Sequence, residues 1–202
     1  GMAAELPAIV RALGGESVLS LRRARWNRSP FNMSWIVRNA LETHLGGLDL
    51  RGRPIEALVV ATRVPDLRTL VYSSRREENL LLPLLGSCFV PVLYGRPVRH
   101  RGDLLVDGGL RDNLPIEVLA ERGATDIIAV IPAHDGSAMR RPFAPRLDLS
   151  GTGTKPLRVG GAKVRAIFPD RPLRIKSWDF AADRVNEAVD AGHRAARRFL
   201  GS

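Results

Sequence analysis

The hydrophobic pattern changes period near residue 55. Before that point apolar positions recur at helical spacing: Ile9, Val10 and Leu13 follow Pro7, which a first helical turn tolerates, and Gly14 and Gly15 close the turn. A second helix is predicted from about Ser34 through WIVRNALETHL, stopped by Gly46 and Gly47. Beyond it, IEALVVATRV (55–64) is a short, nearly continuous, Val-rich run, the pattern of a strand buried on both faces. TLVYSS (69–74) follows after PDLR, which predicts a hairpin, and EENLLLPLLGS (77–87) predicts a helix broken or kinked by Pro83.

The centre of the chain alternates strand and helix. DLLVDGG (103–109) is a strand entering a glycine turn, Pro115 opens a helix through IEVLAER, Gly123 stops it, and DIIAVIP (126–132) is the next buried strand. This predicts one βαβ unit with parallel strands and a right-handed crossover. Asp107 then lies at the carboxyl end of a strand, where open α/β sheets place their ligand crevices. Residues 134–160, rich in Gly, Ser, Pro and Arg, read as a long surface loop. KVRAIFPD (163–170) is a final strand, and a helix from Ala182 puts Val185, Val189, Gly192, Ala196 and Phe199 on one face. There are no repeats and no second domain: the expected fold is a single α/β domain over residues 1–202, a mostly parallel buried sheet flanked by helices.

Composition narrows the class. At 202 residues and 45% apolar content the chain can bury a sizeable core. Its one cysteine, Cys88, excludes an internal disulfide and a cysteine-based metal site, which fits a reducing compartment. His44, at a helix end, and His193, in the terminal helix, make no metal pair, and neither metal nor cofactor is expected. No basic segment followed by an apolar run opens the chain, and nothing approaches the ~18 apolar residues of a membrane span. A soluble or peripheral cytoplasmic protein is expected. The Gly before Met2 reads as a cloning remnant or the cut edge of a longer protein. Three of the 31 basic residues are lysines, so 28 are arginines, and they are scattered rather than clustered. The net charge of +10 is therefore read as compositional bias, and with 5% aromatics and no Cys/His finger spacing a nucleic-acid partner is not expected.

Asp107 stands out. Asp-Gly is ordinary turn chemistry, yet a carboxylate at a strand end followed by two glycines lets another segment approach closely and can serve as a general base. The wider pattern Asp107, Gly108, Gly109, Asn113, Pro115 matches the D-G-[GA]-x-x-x-N-x-P signature of the patatin-like serine lipid acyl hydrolases, and the chain resembles that family. LLGSCFVPVLYGRPV (84–98) looks like the family's small-Ser-x-x-x-Pro segment, and the resemblance runs from about residue 35 to the end. It implies a three-layer architecture and a lipid substrate met at a membrane surface. It also implies that Asp107 is the acidic half of a Ser-Asp dyad, taking the proton of a serine that attacks a lipid ester, with no histidine required. Asn113 would be structural, bonding across the turn or capping the helix that Pro115 begins.

The family's nucleophile lies in G-x-S-x-G and its oxyanion hole in a glycine-rich loop, and this chain has neither motif. Gly15-Glu16-Ser17 lacks the closing glycine, Gly86-Ser87-Cys88 lacks the elbow pattern, and GTGTK (151–155) has the wrong spacing for a phosphate loop. Cys88 reads as a buried small hydrophobe and His100 as an exposed turn residue. His134-Asp135 offers a Ser-His-Asp alternative. The absent parts would occupy two βα units, on the order of 60 residues. The chain is thus expected to be the carboxyl-terminal part of a patatin-like domain, inactive alone as a hydrolase and prone to self-association through exposed strand edge. Two other readings stand beside this one: a non-catalytic relative that binds lipid or a protein partner, and a basic module for nucleic acid or anionic membrane. Arg140, Arg141 and Arg146 are candidates for contact with anionic phospholipid.

Overall fold

The Val-rich run forms β1 (Leu58–Val64) and TLVYS forms β2 (Thr69–Ser73), paired antiparallel from Leu58↔Ser73 to Thr62↔Thr69. The computed structural model describes Arg38, Leu50 and residues 52–90, 97–133, 157–174 and 181–201. The chain divides into two compact units, Gly1–Asp112 and Asn113–Ser202.

In the first unit, α1 (Leu81–Ser87) follows the hairpin, then β3 (Val98–His100) and β4 (Asp103–Asp107). The four strands lie in the order β2-β1-β4-β3 with every pair antiparallel. Ala61, Tyr72, Leu80 and Leu105 form the main buried cluster, and Phe89 and Val106 a smaller one. Pro83 neither breaks nor kinks α1: the helix begins only at Leu81, so the proline falls in its first turn, where its missing N–H costs nothing. Arg101 and Gly102, at φ +51° and +87°, make the two-residue turn that folds β3 back onto β4.

In the second unit, α2 (Ile116–Glu121) ends before Gly123 at φ +88°. It is followed by β5 (Asp126–Val130), β6 (Leu157–Val159), β7 (Ala162–Ile167) and α3 (Ala182–Leu200). The sheet order is β5-β7-β6, with β5 parallel and β6 antiparallel to β7. Ile116, Ile127, Ala129, Ile131, Ala162 and Val164 form its core on the α2 side. From the other face, the Arg165 guanidinium of β7 lies 5.0 Å from the Phe199 ring of α3.

The α/β class holds, but the pairing differs from expectation. β5 with β7 is the one parallel pair among the described strands. β4 and β5 do not form a βαβ pair, because both edges of β4 are taken by β1 and β3. A continuous apolar run predicts a strand buried on both faces, and for β4 a parallel one. β1 and β4 carry such runs because they are the two inner strands of an antiparallel sheet. β5 is not buried on both faces: Ile128 and Val130 are 50% and 71% exposed. The expected 134–160 loop ends earlier, since β6 forms a hairpin with β7 over Gly160 and Gly161. On α3 the buried positions are Val185, Ala191 and Ala195, whereas Gly192 borders an apolar groove of about 310 Å³. Arg38, in the second predicted amino-terminal helix, is helical; the rest of the two amino-terminal helices, Ser17, His44, His134-Asp135, GTGTK and the arginines at 140, 141 and 146 lie outside the described residues.

Candidate active site around Asp107

Asp107 is the last residue of β4, opposite Ala61 of β1, and its N–H donates to the Phe89 carbonyl at 2.8 Å. Phe89 follows α1 by two residues, so the strand end is held between β1 and the chain leaving that helix. The chain then makes a 3₁₀ turn over Gly108–Leu110, for which Asp107 is the N-cap. Its Oδ1 accepts the N–H of Gly109 at 2.6 Å. No other hydrogen bond to this carboxylate is present among the described residues.

The two glycines do different work. Gly108 is buried, and a Cβ there would collide with the carbonyl of Val60, so the turn can lie against β1 only without a side chain. Gly109 supplies the N–H. Thr62 of β1, fully buried, donates its hydroxyl to the Gly108 carbonyl at 3.5 Å.

The half-buried Asp107 carboxyl has its pKa pushed up from the ordinary value by desolvation, and the Gly109 N–H only partly offsets this. Cys88, the residue after α1, lies within electrostatic reach. Its thiol is pushed up by burial first and then by the negative charge of Asp107. A carboxylate with one oxygen held by an N–H and a raised proton affinity is suited to accept a proton from a hydroxyl.

Of the signature residues, Asp107, Gly108 and Gly109 belong to the first unit, and Asn113 and Pro115 to the second. Pro115 is itself the N-cap residue of α2, with no side-chain capping bond, so Asn113 does not cap that helix and Pro115 stands one place before its first turn. Ser87 ends α1 and is not on a strand-to-helix elbow.

His100 is not an exposed turn residue. It sits in β3, its ring edge-on to Tyr72 with centroids 5.2 Å apart, and Nε2 lies 3.2 Å from Oε2 of the buried Glu77. Arg101 reaches the same oxygen at 3.1 Å. A cavity of about 490 Å³ lined by Glu77, Leu82, His100 and Arg101 opens at this end. His100 pairs with Asp103, the first residue of β4, so that cavity and Asp107 lie at opposite ends of one strand. No group of three or more His, Cys, Asp or Glu placed to hold a metal occurs among the described residues. No described helix is long and apolar enough to cross a membrane.

Reading the residues alone missed Thr62 and the placement of Cys88. The register of β1 against β4 reveals Thr62 and the packing of α1 reveals Cys88, and a single Thr or Cys in an apolar run carries no signal of either. Compared with known families, the chain matches the family model for patatin-like phospholipase over residues 5–120. The match spans Asp107, Gly108, Gly109, Asn113 and Pro115. It begins earlier than the resemblance read from the motifs and ends inside α2, short of the terminal helix.

Proposed function

The chain belongs to the patatin-like phospholipase family, and from that premise we propose that Asp107 is the acidic member of a Ser-Asp pair that hydrolyses lipid esters. The observation that carries this reading is the state of its carboxylate. It stands desolvated at a strand end, with Oδ1 held by Gly109 and, among the described residues, no hydrogen bond to Oδ2.

In the proposed reaction the carboxylate accepts the hydroxyl proton of a serine while the serine oxygen attacks the ester carbonyl carbon. The proton then passes to the departing alcohol oxygen, and an acyl-serine remains. Water, giving its proton to the same carboxylate, attacks the acyl carbon, and the serine oxygen leaves with that proton as the fatty acid is released. A carboxyl raised above the ordinary value of ~3.9 serves both directions of transfer better than an unperturbed one. The lipid is met at a membrane surface.

The 202 residues hold no Gly-x-Ser-x-Gly, so the serine is not supplied by such an elbow in this chain and the purified chain alone is expected not to turn over esters. Two observations test the reading. An in-frame Gly-x-Ser-x-Gly encoded upstream of Met2 would supply the nucleophile, and a stop codon directly upstream would sink this account of its source. Turnover of a p-nitrophenyl ester by the purified chain, lost in Asp107→Ala, would overturn the expected inactivity while upholding the role of Asp107. Turnover unchanged in Asp107→Ala would overturn both.

A further inference from the structure

We propose that Thr62 is a positioning residue for Asp107, acting through the peptide that joins Gly108 to Gly109. The functional consequence rests on the reading of Asp107 as a base; the geometry does not. Thr62 lies in the interior of β1, opposite Val106 of β4 and Thr69 of β2, with none of its surface exposed. A hydroxyl so placed needs a hydrogen-bond partner, and valine would fill the same space without that need. The acceptor within reach is the carbonyl of Gly108, at 3.5 Å, the long limit of a hydroxyl hydrogen bond, and 46 residues away in sequence.

That carbonyl and the N–H of Gly109 are opposite ends of one planar peptide unit. Fixing the direction of the carbonyl therefore fixes the direction of the N–H, and that N–H is the group 2.6 Å from Asp107 Oδ1. The line runs from the Thr62 hydroxyl through the Gly108–Gly109 peptide to the carboxylate. Donation to the carbonyl end of a peptide also strengthens donation from its N–H end.

The same carbonyl accepts the N–H groups of Arg111 and Asp112, at 3.1 and 2.8 Å. Those two donors close the turn on itself. Thr62 ties it to the sheet. Two residues earlier on β1, the Val60 carbonyl abuts Gly108, so β1 sets both the position and the orientation of the peptide that holds the carboxylate. Among the described residues, Cys88 beyond the end of α1 is a titratable group coupled to Asp107, and Ala61, opposite on β1, carries no charge.

The test uses the 202-residue chain with Thr62→Val and Thr62→Ser, following the Asp107 carboxyl by carbon-detected NMR titration, with Asp107→Asn to assign the signal. In Thr62→Val the Gly109 N–H is less firmly held and the Asp107 midpoint moves upward. In Thr62→Ser, which keeps the hydroxyl and loses only a methyl, the midpoint stays with the wild type. A Thr62→Val midpoint equal to wild type, or a Thr62→Ser midpoint displaced as far as that of Thr62→Val, would overturn the proposal. Should the valine variant not fold, Thr62→Cys, whose thiol is a weak donor, must move the midpoint in the same direction or the proposal fails. The two readings separate cleanly. If Thr62→Val moves the midpoint while Asp107→Asn leaves ester turnover by the full gene product unchanged, positioning stands and the catalytic reading of Asp107 falls; the converse pair of results removes Thr62 and leaves Asp107.

Discussion

Asp107→Asn is expected to leave the fold at least as stable as wild type at neutral pH, and to change how stability depends on pH. The carboxyl is raised in the folded state by desolvation. As pH climbs past the unfolded-state value of ~3.9, the unfolded chain releases this proton while the folded chain still holds it. Stability therefore falls with rising pH through that window and stops falling once the folded-state pKa is passed. Each unit of elevation would correspond to at most about 1.4 kcal/mol, and to less here because solvent screens a half-buried carboxyl. Asparagine resembles the protonated carboxyl and its Oδ1 can still accept the Gly109 N–H. Trading a charge-assisted bond for a neutral one gives up about 1 kcal/mol, which the relief of desolvation offsets. Alanine has no acceptor, so Asp107→Ala loses the cap of the 3₁₀ turn, at about 0.5–2 kcal/mol. Urea unfolding of wild type and Asp107→Asn, followed by circular dichroism between pH 4 and 8, measures the difference. It should grow in favour of the asparagine variant as pH rises and then level off. A difference that shrinks with rising pH would mean the carboxyl is stabilised by folding, and would refute the reasoning.

Three further outcomes follow from the same geometry. Gly108→Ala drives a Cβ into the Val60 carbonyl, backbone against backbone, and should cost about 1–3 kcal/mol in unfolding experiments; a neutral result would show that the turn does not lie against β1. Cys88 should be alkylated by iodoacetamide more slowly than free cysteine at pH 8, and faster in Asp107→Asn, because the neighbouring negative charge that disfavours its thiolate is gone; equal rates in the two proteins would contradict their proximity. Glu77→Gln removes the buried carboxylate that receives both His100 and Arg101, and should destabilise by about 1–3 kcal/mol, more than Arg101→Ala, whose side chain is 61% exposed.

Local structure was legible where period and punctuation agreed. The β1–β2 hairpin, β4 with its glycine turn, α2 with Gly123 and α3 all stand close to where the pattern predicts them. What the pattern does not encode is which strand lies beside which. The turn at Arg101-Gly102 has arginine at a positive φ, where asparagine or glycine is the usual signal, so nothing in the local sequence marks β3 as a strand or His100 as covered. Gly160-Gly161 is a hairpin signal, but it sits at the end of a stretch whose Gly, Ser, Pro and Arg content is that of a loop. At the site, Asp107 and the two glycines were legible because a motif of fixed spacing carries them. Thr62 and Cys88 were not, because their nearness to Asp107 depends on strand register and on the packing of α1, which no short window of sequence contains.

The most direct test of the central claim is ester turnover by the polypeptide that the gene encodes, with and without Asp107→Asn, in proteins shown to fold alike. If Asp107 is the base, kcat falls by about 10²–10⁴-fold, the contribution typical of a positioned general base. Turnover within a few-fold of wild type in the folded asparagine variant would contradict the account.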